Sequence, residues 1–168
     1  MPNGARLVNK GWLGRIIEME PGKIDQKDRE IITELISNSR QTVGQLGKKI
    51  GMPPTTIHNR IKKLEQAGII RNYTANIDYK KLGRPVMAFV GITVNYNVEG
   101  KKIKQPEIAR QIKKLEGVRE VTILTGGLDI IVKVMAKDID DLNDLVTERL
   151  RDIDGVDKTQ TMIVLTQV

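Results

Sequence analysis

The run from Thr42 to Ile70 constrains the fold more than any other part of this chain. Thr42 and Gln45 have the spacing of a capping box, in which a hydroxyl and an amide satisfy the first orphan N–H groups of a helix. Val43, Leu46 and Ile50 then recur as one apolar stripe. Gly44 and Gly47 are poor helix formers, so close approach to a neighbouring segment is the use expected of them. Gly51 supplies a turn, since glycine adopts a positive φ without penalty. Pro53 and Pro54 suit the start of a helix and not its middle. Ile57, Ile61 and Leu64 follow at i, i+4 and i+7, which makes one face core. Thr55, Asn59, Lys62, Lys63 and Gln66 point away from that face. Gly68 closes the helix, and Ile69–Ile77 reads as an extended connector. A short helix, a tight turn and a second helix with a cationic outer face form the layout of a helix-turn-helix that lies in a DNA groove.

Charge follows the same division. Residues 40–71 hold seven cations (Arg40, Lys48, Lys49, Arg60, Lys62, Lys63, Arg71) against the single anion Glu65. Residues 79–168 are nearly balanced, with fifteen cations and thirteen anions. Positive charge gathered in one segment favours a polyanionic partner. The chain has no cysteine and one histidine, His58. Thiolate metal sites, disulfides and cysteine nucleophiles are therefore excluded, and so is a His-rich metal site within one chain. No cofactor and no metal are expected. No apolar run reaches the length of a membrane span, and residues 1–23 do not form a convincing signal peptide. A soluble, cytoplasmic protein is the expectation, with residues 1–23 as a flexible N-terminal extension.

A first helix is predicted from Asp25. Asp28 lies three positions on, and Ile31, Ile32, Leu35 and Ile36 recur at helical spacing. The second half of the chain alternates strand and helix. Val86–Val94 is apolar and β-branched, hence a strand. A helix starting near Pro106 carries Ile108, Ile112 and Leu115. Strands are predicted at Val121–Thr125, Leu128–Ala136 and Thr161–Thr166, with a tight hairpin turn at Gly126-Gly127. Asp138 caps a helix that carries Leu142, Leu145, Val146, Leu150 and Ile153. The order strand, helix, strand, strand, helix, strand predicts a ferredoxin-like split βαβ fold. The chain is thus α+β. A winged-helix-like helix-turn-helix domain at 24–70 is joined by a hinge at 71–83 to a ferredoxin-like βαββαβ domain at 84–168.

Two helices cover only one face of such a sheet. Met87, Phe89, Ile131 and Met135 make the other face partly apolar. A second copy of the chain is the cover expected, giving a homodimer, with tetramers or octamers open. Burial by the chain's own N-terminal domain is the alternative.

Together these features resemble the Lrp/AsnC family, the leucine-responsive or feast/famine transcription regulators. The resemblance runs from about Ile24 to the C-terminus. It is carried by the segment Ile24–Ile32, by Thr56–Glu65 followed by Gly68-Ile69-Ile70, by Tyr73–Asp78 with Leu82-Gly83, and by Thr125–Asp129. Pro53-Pro54 departs from the family pattern, which usually has serine at that helix turn. The resemblance implies a sequence-specific DNA-binding regulator. It also implies an amino-acid effector bound in a cleft between dimers, with Gly126, Gly127, Leu128 and Asp129 as candidate contacts and Thr159 and Thr161 on the last strand as weaker ones.

The chemistry of the residues supports DNA contact independently. Arg60, Lys62 and Lys63 can neutralise phosphates and release counterions. Thr55, Thr56, His58 and Asn59 lie in the half of the helix that reaches base edges. Asn59 has the geometry to read adenine, and a threonine methyl can meet a thymine methyl. At the Gly126-Gly127 turn two readings stand. It is either structural punctuation, or a loop whose open N–H groups hold a carboxylate while Asp129 holds an ammonium group. RNA binding through the sheet is a competing function, but it needs stacking aromatics on the inner strands. Only Phe89 and Tyr96 lie on or just past the first strand. A non-catalytic amino-acid-binding regulatory subunit is another. Catalysis is not expected. No nucleophile–base pair can be assigned, and Asp138, Asp140, Asp141 and Asp144 gather at a helix start, where anions complement the macrodipole.

Overall fold

The computed structural model describes residues 24–166. The extension predicted at 1–23 lies outside the described residues. The chain divides between Asn76 and Ile77 into two compact units.

The N-terminal unit holds α1 (Gln26–Ser37), α2 (Val43–Ile50) and α3 (Pro54–Gln66). Asp25 caps α1 reciprocally, since its carboxylate accepts from the Asp28 N–H while the Asp28 carboxylate accepts from the Asp25 N–H. Thr42 and Gln45 cap α2 in the same way. Gly51 takes the left-handed conformation, with φ 73°. The second glycine of α2 has a different use. A Cβ on Gly47 would stand 2.6 Å from the Met52 carbonyl oxygen. The turn therefore folds directly over Gly47, and a side chain there would push it open. Ile31, Leu46, Ile50, Ile57 and Leu64 are buried together, with Ile32, Leu35, Met52, Ile61 and Ile70 packed around them. Past Gly68, the Ile69 and Ile70 N–H groups donate back to the Leu64 carbonyl, and residues 71–78 then run on without helix or strand.

The C-terminal unit holds β1 (Val86–Val94), a small hairpin of β2 (Asn97–Val98) and β3 (Lys101–Lys102), α4 (Gln105–Ile112), β4 (Val118–Ile123), β5 (Ile130–Ala136), α5 (Ile139–Asp144) and β6 (Val156–Ile163). A stretch of π-helix, Leu145–Leu150, continues α5. The sheet order is β4-β5-β1-β6, and every neighbouring pair is antiparallel. That is the ferredoxin-like arrangement. Ala88, Val90, Ile92 and Val94 of β1, with Ile130, Val132, Val134 and Ala136 of β5, are buried with Ile108 and Ile112 of α4 and Leu142, Leu145 and Leu150 beyond β5. Two of the four acidic residues around α5 serve this scaffold. Asp138 accepts from the Asp141 N–H, and Asp141 accepts from the Lys137 N–H and pairs with Arg84 and Arg149.

Three predicted elements shift. β4 runs over 118–123 and not 121–125, because chain pairing resumes directly after Gly117, where φ is 87°. β6 runs over 156–163 and not 161–166. It is an edge strand, so its polar residues Asp157, Lys158 and Gln160 tolerate exposure and conceal it from an apolar-run search. β5 starts at Ile130 and not Leu128, which turns the expected tight hairpin into the six-residue loop 124–129. The β2–β3 hairpin was not foreseen, since two-residue strands carry no readable period.

Candidate DNA interface and effector loop

On α3, Ile57 and Leu64 are buried while Thr55, His58, Asn59, Lys62 and Lys63 are exposed and Thr56 is half-buried. The 3.6-residue period alone produces this division. Pro54 opens the helix, and the Thr56 and Ile57 N–H groups both donate to the Pro53 carbonyl oxygen, at 3.0 and 3.1 Å. Pro53 makes no side-chain cap. Proline at the first helical position has no N–H to satisfy, which removes one of the donors that a serine cap would serve. Among the described residues, neither Lys62 nor Lys63 has an ion-pair partner.

Arg60, expected on a phosphate, is placed elsewhere. Its guanidinium contacts Asp25 Oδ2 at 2.6 Å and Asp28 Oδ1 at 2.8 Å. Asp28 is the buried charged residue of this unit, 2% exposed. The reciprocal cap of α1 is therefore extended into a tie to the middle of α3. A buried carboxylate needs such a partner, so Arg60 is a positioning residue and not a free cation. Its sequence position on the cationic helix gave no sign of this, because Asp25 and Asp28 lie more than thirty residues away.

The Asp25 carboxyl is held below the usual carboxylate range, first by the Asp28 N–H and then by Arg60. A lowered folded-state pKa contributes stability above the unfolded value, and that contribution is lost as pH falls through the folded value. Arg60→Ala should therefore reduce the stability of the N-terminal unit at neutral pH and flatten its decline in acid. It should weaken DNA binding with the salt slope unchanged. A slope flatter by about one unit per lost contact, read from titrations at several salt concentrations, would return Arg60 to the phosphates.

In the C-terminal unit the loop 124–129 joins β4 to β5. Leu124 N–H donates to the Asp129 carbonyl at 2.8 Å, and Asp129 N–H donates to the Ile92 carbonyl at 2.9 Å. Gly126 has φ 124°, a conformation that side chains oppose. A Cβ at Gly126 or Gly127 would meet nothing within 4 Å, so both peptide units stand open. Leu128 folds back against Gly91 at the centre of β1, where a Cβ would lie 2.6 Å from Leu128 Cδ1.

Asp129, read from sequence as a holder of an ammonium group, is engaged within the chain. Its Oδ2 accepts from the Val94 N–H at 2.8 Å, and its Oδ1 accepts from the Tyr96 hydroxyl and from Gln105 Nε2. Gln105 Nε2 also donates to the Tyr96 oxygen at 2.6 Å. The Tyr96 hydroxyl, followed by the Val94 N–H, holds the Asp129 carboxyl below its ordinary range, and the same carboxylate raises the Tyr96 hydroxyl. Asp129 is thus the post that fixes Tyr96 and Gln105 beside the loop. Sequence reasoning missed Gln105 and Gly91, and noticed Tyr96 only as an aromatic past the first strand.

Register separates the other expected contacts. Ile130, Ile92 and Thr159 occupy one row across three strands. Thr159 is therefore about 9–10 Å from the loop's end, two strand spacings away. Thr161 pairs with Val90, one step further along. Paired residues share a face, so both threonines lie on the helix-covered side, opposite Leu128. The structure groups Gly126, Gly127, Leu128 and Asp129 in one loop and leaves Thr161 apart from it.

Among the described residues there is no group of three or more His, Asp or Glu side chains able to hold a metal, and no helix long and apolar enough to cross a membrane.

Comparison with known proteins assigns both units. Residues 24–71 match the winged helix-turn-helix DNA-binding model, and residues 87–168 match the Lrp/AsnC ligand binding domain. An HTH-type transcriptional regulator of Pyrococcus furiosus is 41% identical over 140 residues, covering 83% of this chain and 91% of that protein. The regulatory protein AsnC of Escherichia coli K12 is 36% identical over 148 residues, covering 88% and 93%. The structure of Escherichia coli AsnC superposes with a TM-score of 0.73 at 34% identity, covering 86% and 93%. A Neisseria meningitidis transcriptional regulator solved with L-methionine gives 0.78 at 25% identity, covering 86% and 92%.

Proposed function

The chain belongs to the Lrp/AsnC family of helix-turn-helix transcription regulators, and from that premise we propose how its residues carry DNA and effector recognition. The observation that carries the DNA reading is the division of α3. Ile57 and Leu64 are sealed in the core, Arg60 is tied down, and Lys62, Lys63, His58 and Asn59 face outward. Lys62 and Lys63 neutralise phosphates. Thr55, Thr56, His58 and Asn59 meet base edges in the major groove. Asn59 takes adenine.

A partner copy supplies the second recognition helix, so half-sites fall about 34 Å apart, or at multiples of one DNA turn. The dimer forms through the sheet face that the helices leave uncovered, where Phe89 and Ile131 are half-buried and Met162 is 40% exposed. Phe89→Glu should convert the sedimenting dimer to monomer, because a desolvated carboxylate between two sheets has no partner there. A dimer that survives the charge would put the interface on another face.

The effector is a free amino acid or a molecule of like chemistry, as in the Neisseria meningitidis relative solved with L-methionine. Its carboxylate meets the open N–H groups at Gly126 and Gly127. Tyr96 and Gln105, fixed by Asp129, supply hydroxyl and amide oxygens beside them. The effector changes DNA binding by favouring one assembly state over another. Asp138 and Asp141 of the acidic cluster at α5 are engaged in capping and with Arg84 and Arg149, which supports a scaffold role over catalysis there, and as a transcription regulator the protein acts in the cytoplasm. Selection of bound sites from random duplex DNA, with and without free amino acids, tests both parts. Two-fold symmetric sites whose recovery depends on an amino acid are expected. A clear preference for single-stranded RNA over duplex would overturn the DNA reading.

A further inference from the structure

Gly91 is the least expected residue in the sheet. It sits mid-strand in β1, between β5 and β6, where glycine weakens a strand and offers no side chain to pack. Its φ is not in the left-handed region, so the backbone does not require glycine there. What requires it is space. A Cβ would come within 2.6 and 3.0 Å of the two terminal carbons of Leu128, and nothing else lies so near. The missing side chain is a notch, and Leu128 fills it.

The position of the notch gives it meaning. Ala88, Val90 and Ile92 face the helices, so Gly91 belongs to the opposite face with Phe89 and Thr93. Its paired neighbours on that face are Ile131 and Gln160. Leu128 is contributed by the loop that carries Gly126 and Gly127. One residue of the effector loop thus lies on the sheet face proposed for dimerisation, while the next, Asp129, holds Tyr96 and Gln105 at the sheet's end.

We infer that the Leu128 side chain, seated in the Gly91 notch, is the positioning element that transmits the state of the effector loop to the sheet-to-sheet interface between two copies. This rests on the effector and dimer reading above, and supplies the link between them. Apolar interfaces pack like protein interiors and respond to the displacement of a single methyl group. Leu128 is half-buried, so its outer edge is part of that surface. A ligand that draws the glycines towards itself lifts Leu128 in the notch and alters the fit of the two sheets. The energy for the change comes from the ligand's unequal affinity for the two arrangements.

The test is sedimentation of the full chain over a range of concentrations, for wild type, Gly91→Ala, Leu128→Ala and the double variant. Each is measured with and without an equimolar mixture of the protein amino acids. Gly91→Ala displaces only the end of a flexible side chain, and circular dichroism confirms that the sheet persists. If it does not persist, Leu128→Ala alone carries the test. Gly91→Ala and Leu128→Ala are each expected to weaken self-association about tenfold. The double variant should be no weaker than Leu128→Ala, because the added methyl then has nothing to displace. The mixture should shift wild-type assembly and leave Gly91→Ala unmoved. Wild-type self-association in both single variants, or strict additivity in the double, overturns the inference. A Gly91→Ala chain that shifts with the mixture as wild type does overturns the inference and leaves the effector reading standing, whereas a mixture without effect on wild type removes the effector reading and the inference with it.

Discussion

Ile57→Ala is expected to unfold the N-terminal unit while the C-terminal unit stays folded. Ile57 is fully buried, and with Ile31, Leu46, Ile50 and Leu64 it makes up the buried apolar cluster of that unit among the described residues. Truncating a buried isoleucine to alanine costs about 2–5 kcal/mol, through lost transfer energy and the cavity left behind. A unit of this size has little more than that in total. Among the described residues, the sheet unit draws on its own buried cluster, from Ala88 to Ile153. Thermal unfolding followed by circular dichroism should therefore lose its helix-dominated transition and keep the transition of the sheet. DNA binding should vanish, since α3 has no other seam on which to rest. A single transition in which both units melt together at a lowered temperature would show that the two do not fold independently.

The same seam explains what could be read in advance. Ile57 and Leu64 are set by a period, and periods are local. So are the capping pairs, Asp25 with Asp28 and Thr42 with Gln45, and the left-handed Gly51. The order of elements in the second half was legible for the same reason, and it sufficed for the ferredoxin-like fold. What escaped were facts that join distant residues. Arg60 looks like any cation on a basic helix until the fold brings Asp25 and Asp28 to it. Gly91 looks like a weak point in a strand until the loop returns Leu128 to it. Asp129 drew notice as a holder of an ammonium group, yet its partners Val94, Tyr96 and Gln105 arrive from β1, the turn beyond it and α4. Strand ends were misplaced where pairing, and not hydrophobicity, decides them, as in β6 at the sheet edge.

With Arg60 committed to the scaffold, the phosphate contacts of α3 fall to Lys62 and Lys63, and replacing both by alanine should expose their share directly. Both are exposed, and the anion nearest in sequence, Glu65, accepts from the Tyr73 hydroxyl at 2.8 Å. Each phosphate contact releases bound counterions, so the logarithm of the binding constant falls with that of salt concentration by about 0.9 per contact. Losing two contacts should flatten the slope by about 1.8 units, which amounts to about thirtyfold weaker binding at roughly 0.15 M salt and almost none near 1 M. The loss should be the same on a selected site and on random duplex, because phosphates carry no sequence information. Asn59→Ala, by contrast, should narrow the gap between those two duplexes and leave the slope alone. Titrations at several salt concentrations separate the outcomes. A double-lysine variant with the wild-type slope would mean that this face of α3 does not lie along the DNA backbone. A slope change confined to the selected site would mean that the lysines engage only after base readout has fixed the register.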